Sequence, residues 1–398
     1  MKKTRIWLMV SVLTIVLFLS FNGSTAVAQN VIKIGSILPL TGPGSPWGIN
    51  CGRGVQLGAD MINEAGGITI KGEKYFFKVY SENDKYTAEG ARAALEKLVN
   101  FEKVKFIIGS FADVTVNLAR EISNEKKLII LQGSSANVFN LGPKYPYLFR
   151  YTQDSRGKLG AVDVALKTIK FKKMAILNYD DATGRGNTEA VIAWAKEIGV
   201  ELTDVILAPG GTADFYPFLK RIIDNKAEMI TGTIDFANMA LVCKQAHELG
   251  YKGYYSTTGT IINPQEFIRI AGQDAVQGYI APYDFIDCPI ITDKHREIML
   301  KMKDNFLKKY GPPFETVAWR YSIGPQVLAQ ALERAQSLDP DILVKTMETM
   351  EFDTWLGKGG FTGTKTYGIP RQLTLYTIAG IIKGDNVQYL GYTRVERP

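Results

Sequence analysis

Residues 105–135, KFIIGSFADVTVNLAREISNEKKLIILQGSS, carry the alternation that decides the fold. Phe106-Ile107-Ile108 and Leu128-Ile129-Ile130-Leu131 are short, unbroken apolar runs, as expected of parallel strands covered on both faces. Asp113 to Asn124 between them reads as a helix, and strand–helix–strand is the crossover unit of a parallel sheet. The second run ends on Gly133-Ser134-Ser135. In an open α/β sheet, ligands lie outside the carboxyl ends of the strands, so this small-residue turn faces the expected site.

The same rhythm extends in both directions. Upstream come a strand at Val31–Leu38, a helix at Gly48–Asn63, a strand at Tyr75–Tyr80 and a helix at Ala88–Asn100. It restarts after Arg150, with strands at 174–178, 205–207, 228–230 and 254–256 separated by helices at 186–198, 214–224 and 238–249. After Pro282 the pattern turns helical, then a glycine-rich stretch, Gly357–Gly363, precedes β-like runs at 372–382 and 387–392. The expected fold class is α/β: two doubly wound parallel-sheet lobes joined by a three-segment hinge. Crossings are expected near Arg150, Pro282 and Gly359. Lobe 1 is then 29–150 plus 283–358, and lobe 2 is 151–282 plus 359–398, with the terminal strands on the second lobe.

Residues 1–28 read as a signal peptide. Lys2, Lys3 and Arg5 precede an apolar run from Ile6 to Phe21, and Ala26-Val27-Ala28 supplies a small-x-small cleavage site before Gln29. The expected location is the periplasm. Removing those three basic residues lowers the formal charge from +7 to +4, because residues 1–28 contain no acid. The remaining Lys and Arg are scattered, which argues against a nucleic-acid partner. Cys51, Cys243 and Cys288 suit neither a disulfide framework nor a zinc site, leaving one disulfide or three buried thiols open.

The strand ends carry hydroxyls, glycines and backbone groups, suited to holding a small polar ligand and poor for acid–base chemistry. Gly133, Ser134 and Ser135 offer N–H groups and hydroxyls to a carboxylate, although Ser134 or Ser135 would equally serve as a helix cap. Trp47, in the loop between Gly42 and Gly48, is placed to cover an apolar tail. Asp113 and Asp235 are the acids nearest the strand ends and either suits an ammonium; Asp113 would alternatively cap its helix. His247 and His295 are expected on the surface. No nucleophile elbow, phosphate loop or zinc-protease pair occurs, so no enzyme, metal or cofactor is expected.

The chain resembles the leucine/isoleucine/valine-binding family of periplasmic solute receptors. The likeness rests on Ile34-Gly35 through Leu38-Pro39-Leu40-Thr41-Gly42, Asn63-Glu64-Ala65-Gly66-Gly67-Ile68 and Phe106-Ile107-Ile108-Gly109. Phe149-Arg150, Gly211-Thr212-Ala213-Asp214-Phe215 and Gly360-Phe361-Thr362-Gly363 continue it in family order. The resemblance implies two lobes that close on a ligand and dock on an ABC permease in the inner membrane, as a monomer without cofactor. It implies a carboxylate at Gly133, Ser134 and Ser135, Trp47 over the ligand side chain, and Thr183, Asp235 and Thr258 closing from the second lobe. Members that bind branched-chain amino acids often carry an acid where Thr258 stands. That departure leaves an amino-acid-like ligand, an amide, and an aromatic or short carboxylic acid all open. A ligand-sensing module of a signalling receptor is the alternative use of such a fold.

Overall fold

In the computed structural model β1 (Asn30–Leu38), α1 (Ser45–Glu64), β2 (Ile68–Ile70) and β3 (Glu73–Asn83) lead into α2 (Ala88–Glu96) and β4 (Phe106–Gly109). Next come α3 (Asp113–Lys126), β5 (Ile129–Gln132) and β6 (Leu148–Arg150). The structure describes residues 30–42, 44–109, 112–134, 141–259 and 263–398. The leader 1–28, with its cleavage site before Gln29, and Ser135 lie outside the described residues. Strands β4 and β5 are buried along their whole length, and β1 is flanked by β3 and β4 in parallel.

The second block runs α4 (Ser155–Ala165), β7 (Lys173–Tyr179), α5 (Ala182–Ile198), β8 (Glu201–Ala208), α6 (Tyr216–Asp224) and β9 (Met229–Thr231). It continues with α7 (Phe236–Glu248), β10 (Tyr254–Ser256), α8 (Pro264–Ala271) and β11 (Tyr279–Pro282). Helix starts here are set by short polar side chains: Asp154, Asp181 and Asp235 each accept a backbone N–H from the first turn of α4, α5 and α7.

The chain then forms α9 (Asp293–Tyr310), α10 (Val317–Ala335), α11 (Pro340–Thr349), β12 (Glu351–Thr354), β13 (Gly357–Thr362) and α12 (Thr364–Tyr367). It ends with β14 (Gln372–Leu373), β15 (Tyr376–Lys383) and β16 (Asn386–Arg394). Two sheets result, ordered β12-β13-β14-β6-β5-β4-β1-β3-β2 and β16-β15-β11-β10-β9-β7-β8. Apolar clusters cover both faces of each sheet, and α9 and α10 return to pack on α1 of the first lobe.

The chain leaves the first sheet after Arg150 and the second after Pro282. The third crossing differs from expectation. It falls at Thr374–Leu375 and not near Gly359, because β13 and β14 belong to the first sheet and β15 opens the second. The glycines that read as a linker instead make a tight hairpin: Gly357 has φ +92°, and a Cβ on Gly359 would overlap the Thr374 carbonyl.

Arg320 on α10, only 3% exposed, ties the crossings together. Its guanidinium donates to both carboxylate oxygens of Asp284, just past β11, and to Gln153 Oε1, just past β6. Gln153 Nε2 donates in turn to the Tyr376 carbonyl at 2.7 Å, beside the third crossing. Burial pushes the Asp284 carboxyl up and Arg320 opposes it.

Candidate functional site: a cleft between two strand-end walls

Asp113 sits where the two lobes meet. Ala112 holds the cap position, so Asp113 is the first residue inside α3 and its carboxylate is not used as a cap. It is 1% exposed. Ser134 Oγ, from the turn after β5, donates to Oδ1 at 2.5 Å, and Thr183 Oγ1, from the second lobe, donates to Oδ2 at 2.9 Å. Thr183 uses its one proton on Asp113, so Tyr86 Oη, 3.1 Å away, donates to Thr183. Burial pushes the Tyr86 phenol up, and the charges of Asp181, Asp113 and Asp84 add to that shift.

Gly133 is held rigidly. Its N–H donates to the Gly109 carbonyl at 2.6 Å and its carbonyl accepts from Thr152 Oγ1 at 3.0 Å. A Cβ at this position would overlap the Tyr321 hydroxyl, so only glycine lets the turn lie against that ring.

The second part of the site is apolar. Trp47 lies in the first turn of α1, not in a loop, because Pro46 is tolerated at a helix start. Its indole meets Phe236 edge-on, with centroids 6.3 Å apart. Phe236 packs on Phe267 at 5.6 Å and Phe267 on Tyr279 at 4.9 Å. With Thr233, Ile234, Met239, Thr257 and Gly259 these rings line a small apolar pocket, part of it open to solvent.

Thr258 and Asp235 are hydrogen-bonded within the second lobe. Thr258 is buried, donates to Asn187 Oδ1 at 2.9 Å, and so accepts from the adjoining Thr233 hydroxyl. Asn187 Oδ1 also accepts from Ser155 Oγ. Asp235 caps α7 through the Asn238 N–H at 3.1 Å and accepts from Asn238 Nδ2 at 2.8 Å and Tyr179 Oη at 3.1 Å. That set of donors occupies Asp235 within its own lobe. The structure thus joins Asp113, Ser134 and Thr183, sets Trp47 against Phe236 of the second lobe, and holds Asp235 by groups of its own lobe.

Sequence reasoning passed over Tyr86, Asn187, Phe236, Phe267 and Tyr279. Phe236 directly follows a strand-end acid and was open to notice. Tyr86, Asn187, Phe267 and Tyr279 sit inside or after elements whose facing is set by tertiary packing. His295 also differs from expectation: it is 6% exposed, held by Thr292 and Asp353, and burial lowers its imidazole. Cys51, Cys243 and Cys288 are buried and unpaired. Among the described residues no group of His, Cys, Asp or Glu gathers to hold a metal, and no described helix is long and apolar enough to cross a membrane.

A family model described as periplasmic binding protein matches residues 31–380, nearly the whole described chain. The chain belongs to the periplasmic binding protein family. Among curated relatives, it is 24% identical to the leucine-, isoleucine-, valine-, threonine-, and alanine-binding protein of Pseudomonas aeruginosa, over 85% of this chain and 87% of that protein. An ABC-transporter solute binding protein of R. palustris, in complex with 4-hydroxybenzoate, superposes with a TM-score of 0.75 at 17% identity, covering 93% of this chain and 98% of that one. The branched-chain amino acid transporter substrate binding protein LivJ of Streptococcus pneumoniae, in complex with isoleucine, gives 0.74 at 17% identity, covering 92% and 100%. This periplasmic binding protein therefore has the two-lobed α/β fold of those receptors, the type I arrangement expected from the sequence.

Proposed function

We propose that this periplasmic binding protein captures a small amino acid with an apolar side chain and delivers it to an ABC permease. The observation that carries the reading is the Asp113 carboxylate, held from one lobe by Ser134 and from the other by Thr183, beside an apolar pocket. A buried carboxylate next to a turn suited to carboxylates repels a plain acid but suits a zwitterion, whose ammonium meets Asp113 while its carboxylate meets the turn. The side chain then lies between Trp47 and Phe236. Ser135 belongs to the same reading as a further donor to the carboxylate. Asp235 and Thr258 support the wall rather than the ligand.

The aromatic lining supports a second reading, an aromatic acid stacked among Trp47, Phe236, Phe267 and Tyr279. Calorimetric titration of residues 29–398 with L-leucine and with 4-hydroxybenzoate separates the two. Binding of L-leucine and loss of that binding in Asp113→Asn support the amino acid. Binding of 4-hydroxybenzoate alone, unchanged in Asp113→Asn, overturns it. Export by the 1–28 leader, a periplasmic location and a monomeric state belong to the same proposal, and mass analysis of the secreted chain checks the cut before Gln29.

A further inference from the structure

The backbone crosses between the lobes three times, yet residues 394–398, at and beyond the end of β16 in the second sheet, reach back to the first lobe. Arg394 donates through Nη1 to the Lys358 carbonyl of β13 at 3.3 Å. The Pro398 carbonyl accepts the backbone N–H groups of Lys365 and Thr366 in α12, at 2.9 and 3.1 Å, and the Thr366 hydroxyl at 3.3 Å. Helix α12 lies between β13 and β14, and both strands belong to the first sheet.

Between those two points the segment is fastened to the second lobe. Arg397 donates from Nε and from Nη2 to Asp154 Oδ2, each at 2.6 Å. Asp154 is 2% exposed, and its Oδ1 caps α4 through the Gly157 N–H at 2.8 Å, so the carboxylate is fixed in place. Tyr367 of α12 donates to the same Oδ2 at 3.2 Å. Charge-assisted bonds of this kind are the stronger ones, and here one carboxylate gathers the segment, the second lobe and the first. Gly160 on α4 lets the chain lie close: a Cβ there would stand 2.8 Å from Thr393 Cγ2 and 3.1 Å from Val395 Cγ2.

In the same structure the lobes touch across the cleft. Thr183 bonds to Asp113, Trp47 meets Phe236, and the Asn263 N–H donates to Glu315 Oε2 at 2.8 Å. Both sets of contacts are satisfied by one arrangement of the lobes, so each stabilises that arrangement for the other. We propose that residues 394–398 form a strap, a fourth and non-covalent link between the lobes, that biases the receptor towards its closed form. The inference rests on the receptor reading and is independent of the ligand's class. The strap bonds to Asp154, Lys358, Lys365 and Thr366, none of which belongs to the proposed ligand site. Its loss therefore lowers the share of closed molecules and leaves the ligand contacts intact, which raises the apparent Kd in proportion.

The test compares residues 29–398 with the shortened chain 29–394 and with Arg394→Met and Arg397→Met in the longer one. Each is titrated with L-leucine and with 4-hydroxybenzoate, its dissociation rate and thermal melt are recorded, and its ligand-free radius of gyration is measured by small-angle X-ray scattering. Whichever probe binds 29–398 should bind 29–394 roughly three- to thirtyfold more weakly, through faster dissociation at temperatures well below the melt. Arg397→Met and Arg394→Met should show the same effect by smaller factors, and they carry the test if 29–394 does not fold. Affinity within twofold of the parent in all three overturns the strap, and a lowered melting temperature beside it assigns the segment to packing alone. Tighter binding overturns the strap too, since the segment then favours the open form. Which probe binds decides the ligand's class and leaves this inference untouched. If the parent binds neither probe, the amino-acid reading fails and scattering decides the strap: a larger radius in 29–394 supports it, and equal radii overturn it.

Discussion

Asp113 is the residue on which most turns. Two hydroxyls from opposite lobes hold its oxygens. Asp113→Asn keeps the shape and removes the charge. It should cost about 2 kcal/mol in binding of an amino acid, roughly thirtyfold in Kd, with the melting temperature nearly unchanged. Gly133 makes a different expectation. Alanine there must push the Tyr321 ring aside, so Gly133→Ala should lose both binding and stability, by about 1–3 kcal/mol for the overpacking, in calorimetric titration and urea melts. The sequence pointed to Gly133, Ser134 and Asp113 because strand ends are where small residues and acids have work to do. It did not separate Asp113 from Asp235. Both precede a helix, and only the fold decides that Asp235 becomes the cap while Asp113 falls one residue inside.

At the scale of elements, the closest helix pairing is α1 on α10. Gly54 and Gly58, one turn apart, meet Ala318 and Ser322 backbone to backbone, with no room for a methyl at Gly54. Gly54→Ala should cost about 1–3 kcal/mol in denaturant melts while leaving the affinity of the surviving folded fraction intact. A lost affinity at full stability would place α1 in the site more directly than packing does. Trp47, at the start of the same helix, is expected to behave in the opposite way: Trp47→Ala should weaken an apolar ligand by about 2 kcal/mol or more, with a smaller effect on stability. Strands as apolar as β4 and β5 were legible from residue type alone. Strand β13 was not, since Gly357–Gly363 has the composition of a loop and gains strand character only by pairing with β12 and β14 on either side.

Across the whole molecule, three crossings are bound by one buried cation. Arg320 reaches Asp284 at the second crossing and Gln153 at the first, and Gln153 reaches Tyr376 at the third. Truncating Arg320 leaves Asp284 buried without its partner, so Arg320→Met should destabilise by about 3–5 kcal/mol in denaturant melts. The two-lobed plan and the place of the terminal strands β15 and β16 followed from the repeated strand–helix rhythm. The point of the last crossing did not, because a two-residue strand, β14, carries no periodicity to read. The central claim is that an amino acid is held by its ammonium at Asp113 between the lobes, and one titration tests it most directly. L-leucine is titrated into residues 29–398 and into the Asp113→Asn variant under the same conditions. The expected result is saturable one-to-one binding to the first and a loss of roughly thirtyfold in the second; equal affinity in the two would contradict the claim.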